Sequence, residues 1–122
     1  MLLNASLIVT IVRKGWGNTV LEASVKAGAR GGTVVYGRGI GVNEHETIFG
    51  ISIEPEKEIV LTVVYTDQSD AILQEIVRAA ELTKPNHGLA FVMPLEKVVG
   101  VPHLHNEPLC PGDPSKSKKR QS

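Results

Sequence analysis

The 122-residue sequence has a single cysteine, Cys110. An intrachain disulfide framework and an all-cysteine metal site are therefore excluded, and a reducing cytoplasm is the expected compartment. The chain has no excess of either charge. Its 13 Lys and Arg balance 13 Asp and Glu, which removes the global electrostatic case for nucleic acid or an anionic membrane as partner. It also lacks a run of apolar residues long enough to cross a bilayer. The apolar opening, residues 1–12, is too short, has no basic residue before it and runs straight into Arg13-Lys14, so it reads as a buried strand. A close nucleophile and base pair, a carboxylate dyad and a full set of metal ligands are missing too, which argues against an enzyme and assigns no metal. At this length one domain is expected, with a core that oligomerisation would help to stabilise.

What is present is a regular alternation of elements. Residues 7–12 (Leu-Ile-Val-Thr-Ile-Val) form a β-branched run whose nearly unbroken apolarity predicts a strand covered on both faces. Asn18 is the candidate N-cap of a helix that carries Val20, Leu21, Val25 and Ala27 at helical spacing and stops at Gly28. Thr33-Val34-Val35-Tyr36 predicts a second strand, ended by the glycine-rich Gly37-Arg38-Gly39-Ile40-Gly41. Residues 46–53 alternate in part and suit one limb of a hairpin, and 59–65 (Ile-Val-Leu-Thr-Val-Val-Tyr) predict a third strand. A polar start signal at 66–69 precedes Ile72, Leu73, Ile76, Val77 and Ala80 on one stripe of a second helix, broken at 83–88. Residues 89–93 supply a fourth strand and 94–101 a short element beyond it. From Pro102 the composition turns to Pro, Ser, Lys and Gly. The chain thus divides into a domain over 1–105 and a polar tail over 106–122, which cannot offset its own ordering entropy unless it docks elsewhere.

The order β-α-β-β-α-β is the ferredoxin-like α+β arrangement, a four-stranded antiparallel sheet with two helices on one face. Because the strands over 7–12 and 59–64 are apolar on both faces, the second face is expected to be buried against other subunits.

Taken in order over about residues 1–102, these segments resemble the nitrogen regulatory PII signal-transduction family. The resemblance is carried by Val20-Leu21-Glu22-Ala23 through Gly28, by Gly32-Thr33-Val34 and Gly39-Ile40-Gly41, and by 59–64 followed by Asp67, Ile72, Ile76 and Ala79-Ala80. It closes with 83–88 and Phe91-Val92-Met93-Pro94-Leu95-Glu96-Lys97-Val98-Val99. It implies a compact homotrimer with three intersubunit clefts. An adenine nucleotide (ATP, ADP or AMP), often with a small metabolite such as 2-oxoglutarate, binds there as a signal. A loop after strand two, here residues 42–56, then engages a regulated protein such as a membrane transporter.

On this resemblance the effector site draws on Ile11, Thr33, Arg38, Gly39, Gly41, Asn43, Lys57, His87 and Gly88, and the partner loop on His45 and Phe49. Glycines at 37, 39 and 41 let backbone N–H groups approach a phosphate. A dinucleotide-binding reading fails, because the spacing is not G-x-G-x-x-G and no helix opens after it. Asn43 stands where the family usually has a glutamine important to metal and 2-oxoglutarate binding, and its shorter amide counts against that second ligand. Leu89 replaces a phosphate-binding lysine, while Gly100 and Pro102 replace two arginines. At roughly 1.5 to 3 kcal/mol for each charge-assisted contact, these losses weaken triphosphate binding unless Lys57, Lys84, Arg38, His87 or His103 substitutes.

The loop is shorter than in typical members and lacks their modifiable tyrosine, because Tyr36 and Tyr65 fall in strands. It holds Glu44-His45-Glu46 and Ile48-Phe49-Gly50-Ile51, which suit either a partner-docking tip or an ordinary hairpin. His103 and His105 can face one side of a strand, but two histidines do not make a metal site. The competing reading is nonetheless a trimeric divalent-metal-binding protein like the divalent-cation-tolerance CutA proteins. Trp16 is expected to cover the end of the core, and Lys116, Lys118, Lys119 and Arg120 to solvate the terminus.

Overall fold

The computed structural model describes residues 4–41, 46–48, 51–53 and 55–100. Its elements in chain order are β1 (Ala5–Arg13), α1 (Gly17–Lys26), β2 (Thr33–Arg38), β3 (Glu46–Ile48), β4 (Ile51–Ile53), β5 (Glu56–Tyr65), a 3₁₀ turn (Thr66–Gln68), α2 (Ser69–Ala80) and β6 (Gly88–Leu95). β2, β5, β1 and β6 form one antiparallel sheet in that order, which is the expected ferredoxin-like arrangement. The limb expected over 46–53 is a complete small hairpin, with β3 and β4 paired to each other in a separate sheet. Pro94 and Leu95, assigned by sequence to an element beyond the last strand, continue β6, and among the described residues only an isolated bridge at Val98 follows.

Alternation along the strands sends even-numbered residues to the helices. Ile8 and Val12 of β1, Val60 and Val64 of β5, Val20 of α1 and Ile72, Ile76 and Ala80 of α2 make one core, all almost wholly buried. The stripe expected on α2 is therefore the packed one. On α1 the stripe differs, because Val25 is exposed while Ala23 and Ser24 are buried. Small side chains let α1 lie close, and the Ser24 hydroxyl donates back to the Leu21 carbonyl at 2.8 Å, so its burial leaves no orphaned donor.

Asn18 does not cap α1. The helix starts one residue before it, and the Gly17 N–H donates to the buried carboxylate of Glu58 on β5 at 2.7 Å. That carboxylate also sits favourably at the positive end of the helix. A Cβ on residue 17 would collide with it, which is why glycine stands there. Gly28 ends α1 as expected, and the Ala29 N–H reaches back to the Ser24 carbonyl at 2.9 Å. α2 ends in the same geometry without a glycine. Glu81 takes the left-handed conformation (φ 55°), and the Leu82 N–H donates to the Val77 carbonyl at 3.0 Å.

Odd-numbered residues face the other way, where Ala5 is buried among Val63, Tyr65, Leu95 and Val98 while other apolar side chains stay open. Leu89, Phe91 and Met93 on β6 stay 52%, 40% and 44% exposed. Among the described residues, no helix is long and apolar enough to cross a membrane.

Candidate functional site

Four pieces of chain meet at one end of the open face: the exit of β2, the entry of β5, the end of β1 and the turn before β6. Between them lies a cleft of about 520 Å³. Its floor is a row of apolar side chains in register across three strands, Leu89 beside Ile11 and Ile11 beside Ile59. One wall is the run from Arg38 through Gly41, the opposite wall is Asn86 with Gly88, and Lys57 stands at the end of the floor.

Backbone constraints hold these walls in place. Gly88 has φ 131°, and a Cβ there would strike the Ile11 carbonyl oxygen, so only glycine lets β6 begin this tightly against β1. Asn86 sits in the left-handed region (φ 64°), which asparagine tolerates better than most residues. On the far wall the Gly39 N–H donates to the Pro55 carbonyl at 3.2 Å, and the Lys14 N–H to the Glu56 carbonyl at 3.2 Å. The Lys14 ammonium also pairs with the Glu56 carboxylate at 3.0 Å. That hydrogen bond, more than the accompanying charge attraction, raises the lysine above its ordinary pKa. Both side chains are exposed, so the pair orients the loop root and adds little stability.

Of the residues expected in the effector site, Ile11, Arg38, Gly39, Gly41, Lys57 and Gly88 are brought together around the cleft. His87 is not among its lining. Its ring lies against Trp16 with centroids 5.5 Å apart, and Nδ1 is 3.3 Å from the Ala80 carbonyl, so a proton on Nδ1 would close the last turn of α2. Flanked by Asn86 and Gly88, which both line the cleft, His87 turns instead to the helix side. Trp16 packs at the edge of the helix-side core, as expected.

Thr33 lies at the other end of β2, roughly 17 Å from Arg38 at the usual rise per strand residue. Lys84 pairs with Glu81 at 2.9 Å and does not reach the cleft lining. The hydrogen bond from Lys84 holds the Glu81 carboxyl below its ordinary range, and its charge assists. Asn43, His45, Phe49, Pro102, His103, His105, Cys110 and the tail over 106–122 lie outside the described residues.

The sequence reading missed Asn86, Ile40 and Ile59 as lining residues. Ile59 had a usable signal, since it lies two positions from Lys57 on one strand and must share its face. Asn86 had a weaker one, an asparagine two residues before the glycine that starts β6. A smaller groove of about 400 Å³ is also lined by Lys57, with Lys14, Tyr36, Glu56 and Glu58; there the Glu56 carboxylate is paired with Lys14 and that of Glu58 with the Gly17 N–H. Among the described residues no three His, Cys, Asp or Glu side chains are grouped to hold a metal. The cleft combines an apolar floor suited to a flat ring with a glycine-rich, cationic rim suited to an anion.

Comparison with known proteins agrees with the fold. The family model for nitrogen regulatory protein P-II matches residues 5–103. A crystal structure of Arabidopsis thaliana PII bound to citrate is similar, with a TM-score of 0.65 and 26% sequence identity over 84% of this chain and 88% of that one. No curated protein matches the sequence.

Proposed function

This chain belongs to the nitrogen regulatory protein P-II family, a family of signal-transduction regulators, and from that premise we propose that it acts by binding, without catalysis. It assembles as a homotrimer through the open sheet face, takes an adenine nucleotide in the cleft and passes the occupancy to a regulated protein. That protein is a membrane transporter or an enzyme, engaged in the cytoplasm through residues 42–56 with His45 and Phe49. The domain that does this spans 1–105, and 106–122 is a polar tail. The family match supports this reading over the divalent-cation-tolerance one.

The observation that carries the proposal is the convergence of Arg38, Gly39, Gly41, Lys57 and Gly88 on one cleft from segments far apart in sequence. The root of the loop, Gly39 to Gly41, is itself a wall of that cleft, so a ligand bound there touches the start of the loop directly. The plant relative was solved with citrate, an anion, and anion binding is what the cationic rim favours here.

Thermal melting of the full chain with ATP, ADP, AMP and 2-oxoglutarate tests the reading. A ligand at 100 times its Kd stabilises by about 2.7 kcal/mol, so at least one adenine nucleotide should raise the melting temperature by several degrees. The absence of any rise with all three nucleotides would falsify the nucleotide part of the proposal.

A further inference from the structure

We infer that the start of α1 clasps both sides of the cleft from behind the sheet, so that a shift of one side is felt at the other, an inference that rests on the reading of the cleft as the ligand site. On one side the cleft-lining Asn86 and Gly88 flank His87, and on the other the cleft-lining Lys57 and Ile59 flank Glu58. His87 lies against Trp16, with ring centroids 5.5 Å apart. The Glu58 carboxylate accepts the Gly17 N–H at 2.7 Å. Two residues adjacent in sequence thus hold the residue behind each side, although neither Trp16 nor Gly17 lines the cleft itself.

Both anchors are fixed where they stand. The Trp16 N–H donates to the Arg13 carbonyl at 3.1 Å, the Trp16 carbonyl accepts the Val20 N–H at 3.2 Å, and the indole packs on the helix-side core. Glu58 is buried, and a Cβ on residue 17 would strike its carboxylate, so that contact has no slack. His87 has a second hold, its Nδ1 lying 3.3 Å from the Ala80 carbonyl. Between these holds and the close approach of Gly88 to Ile11, the Asn86 backbone is kept left-handed at φ 64°, a conformation that persists where its surroundings determine it. Because neighbouring residues of β5 point to opposite faces, a ligand that draws Lys57 or Ile59 inward displaces Glu58 against Gly17. One that draws on Asn86 or Gly88 displaces His87 against Trp16. Closely packed groups pass such shifts on, since no void absorbs them.

The test is a titration of the isotope-labelled full-length chain with ADP, followed by NMR at the Gly17 amide and at the indole of Trp16, the only tryptophan in the sequence. Both resonances should move, with the midpoint that isothermal titration gives for ADP. His87→Ala should move the Gly17 amide in the unliganded chain and lower ADP affinity by about tenfold, comparable to the loss of one hydrogen bond. His87→Phe, which keeps a ring against Trp16, should restore most of that affinity. ADP that binds without moving either resonance overturns the inference and leaves the nucleotide reading intact. Failure of ATP, ADP and AMP to bind overturns the nucleotide reading alone, and the unliganded His87→Ala spectrum then decides the clasp. An unmoved Gly17 amide in that spectrum overturns the inference, whether or not a nucleotide binds.

Discussion

Ile8 and Val12 of β1 are sealed under α1 and α2, whereas Leu89, Phe91 and Met93 of β6, on the opposite face of the same sheet, remain 52%, 40% and 44% exposed. Both sets are apolar, and β1 reads from sequence as covered on both faces. Hydrophobic alternation thus fixes that a face must be covered, but leaves open whether the cover comes from the same chain or another. The faces differ in polar content too. The closed face buries the Thr10 and Thr62 hydroxyls without a hydrogen-bond partner, a cost borne within one chain. At one end of the open face, Lys57 and Arg38 line the cleft. The cleft therefore lies where the uncovered face meets the loop root.

Substitutions can pull the two faces apart. The largest effect is expected from Phe91→Asp, which places a charge in the middle of the open face. A carboxylate buried at an interface without a partner costs several kcal/mol. Light scattering at micromolar concentration should show a fall from three times the 13.1 kDa chain mass to one, with the helical circular dichroism retained. An unaltered mass would show that this face is not an interface. Next comes Ile72→Ala beneath the closed face, expected to cost about 2 to 5 kcal/mol in urea unfolding. A loss below about 1 kcal/mol would mean that α2 does not carry the core.

Gly88→Ala should follow, at about 1 to 3 kcal/mol, because the residue is held at φ 131° against the Ile11 carbonyl. Nucleotide binding should be lost in the same protein, and retention of both stability and binding would contradict the geometry of the cleft wall. The smallest change is Thr62→Val. Replacing a buried, unpartnered hydroxyl with a methyl group should stabilise the chain by about 1 kcal/mol. Destabilisation there would mean that the hydroxyl has a partner after all.

The closed face was largely legible in the sequence. Ile72, Ile76 and Ala80 recur at helical spacing, and the α2 core follows from them. α1 was less legible, because its packing uses Ala23 and Ser24, whose small size and local hydrogen bond hydropathy does not see. Its cap was misplaced to Asn18 for a different reason. The group that satisfies the helix start is Glu58, 41 residues away, and only tertiary structure brings it there. In the cleft, the glycines and Lys57 were visible through the family pattern together with Arg38. His87 was drawn into the site by its place next to Gly88, yet the ring of Trp16, distant in sequence, holds it on the helix side. Asn86 reads as a helix break, and only its left-handed backbone turns it into a wall of the cleft.

Hydrogen–deuterium exchange of the full chain with and without saturating AMP tests most directly that the ligand sits where the open face meets the loop root. Slowed exchange confined to peptides covering 38–41, 56–59 and 86–89, with little change across α1 and α2 beyond global stabilisation, is the expected result. Protection centred on the β2 edge near Thr33 or on the helices, with the cleft segments unchanged, would contradict it.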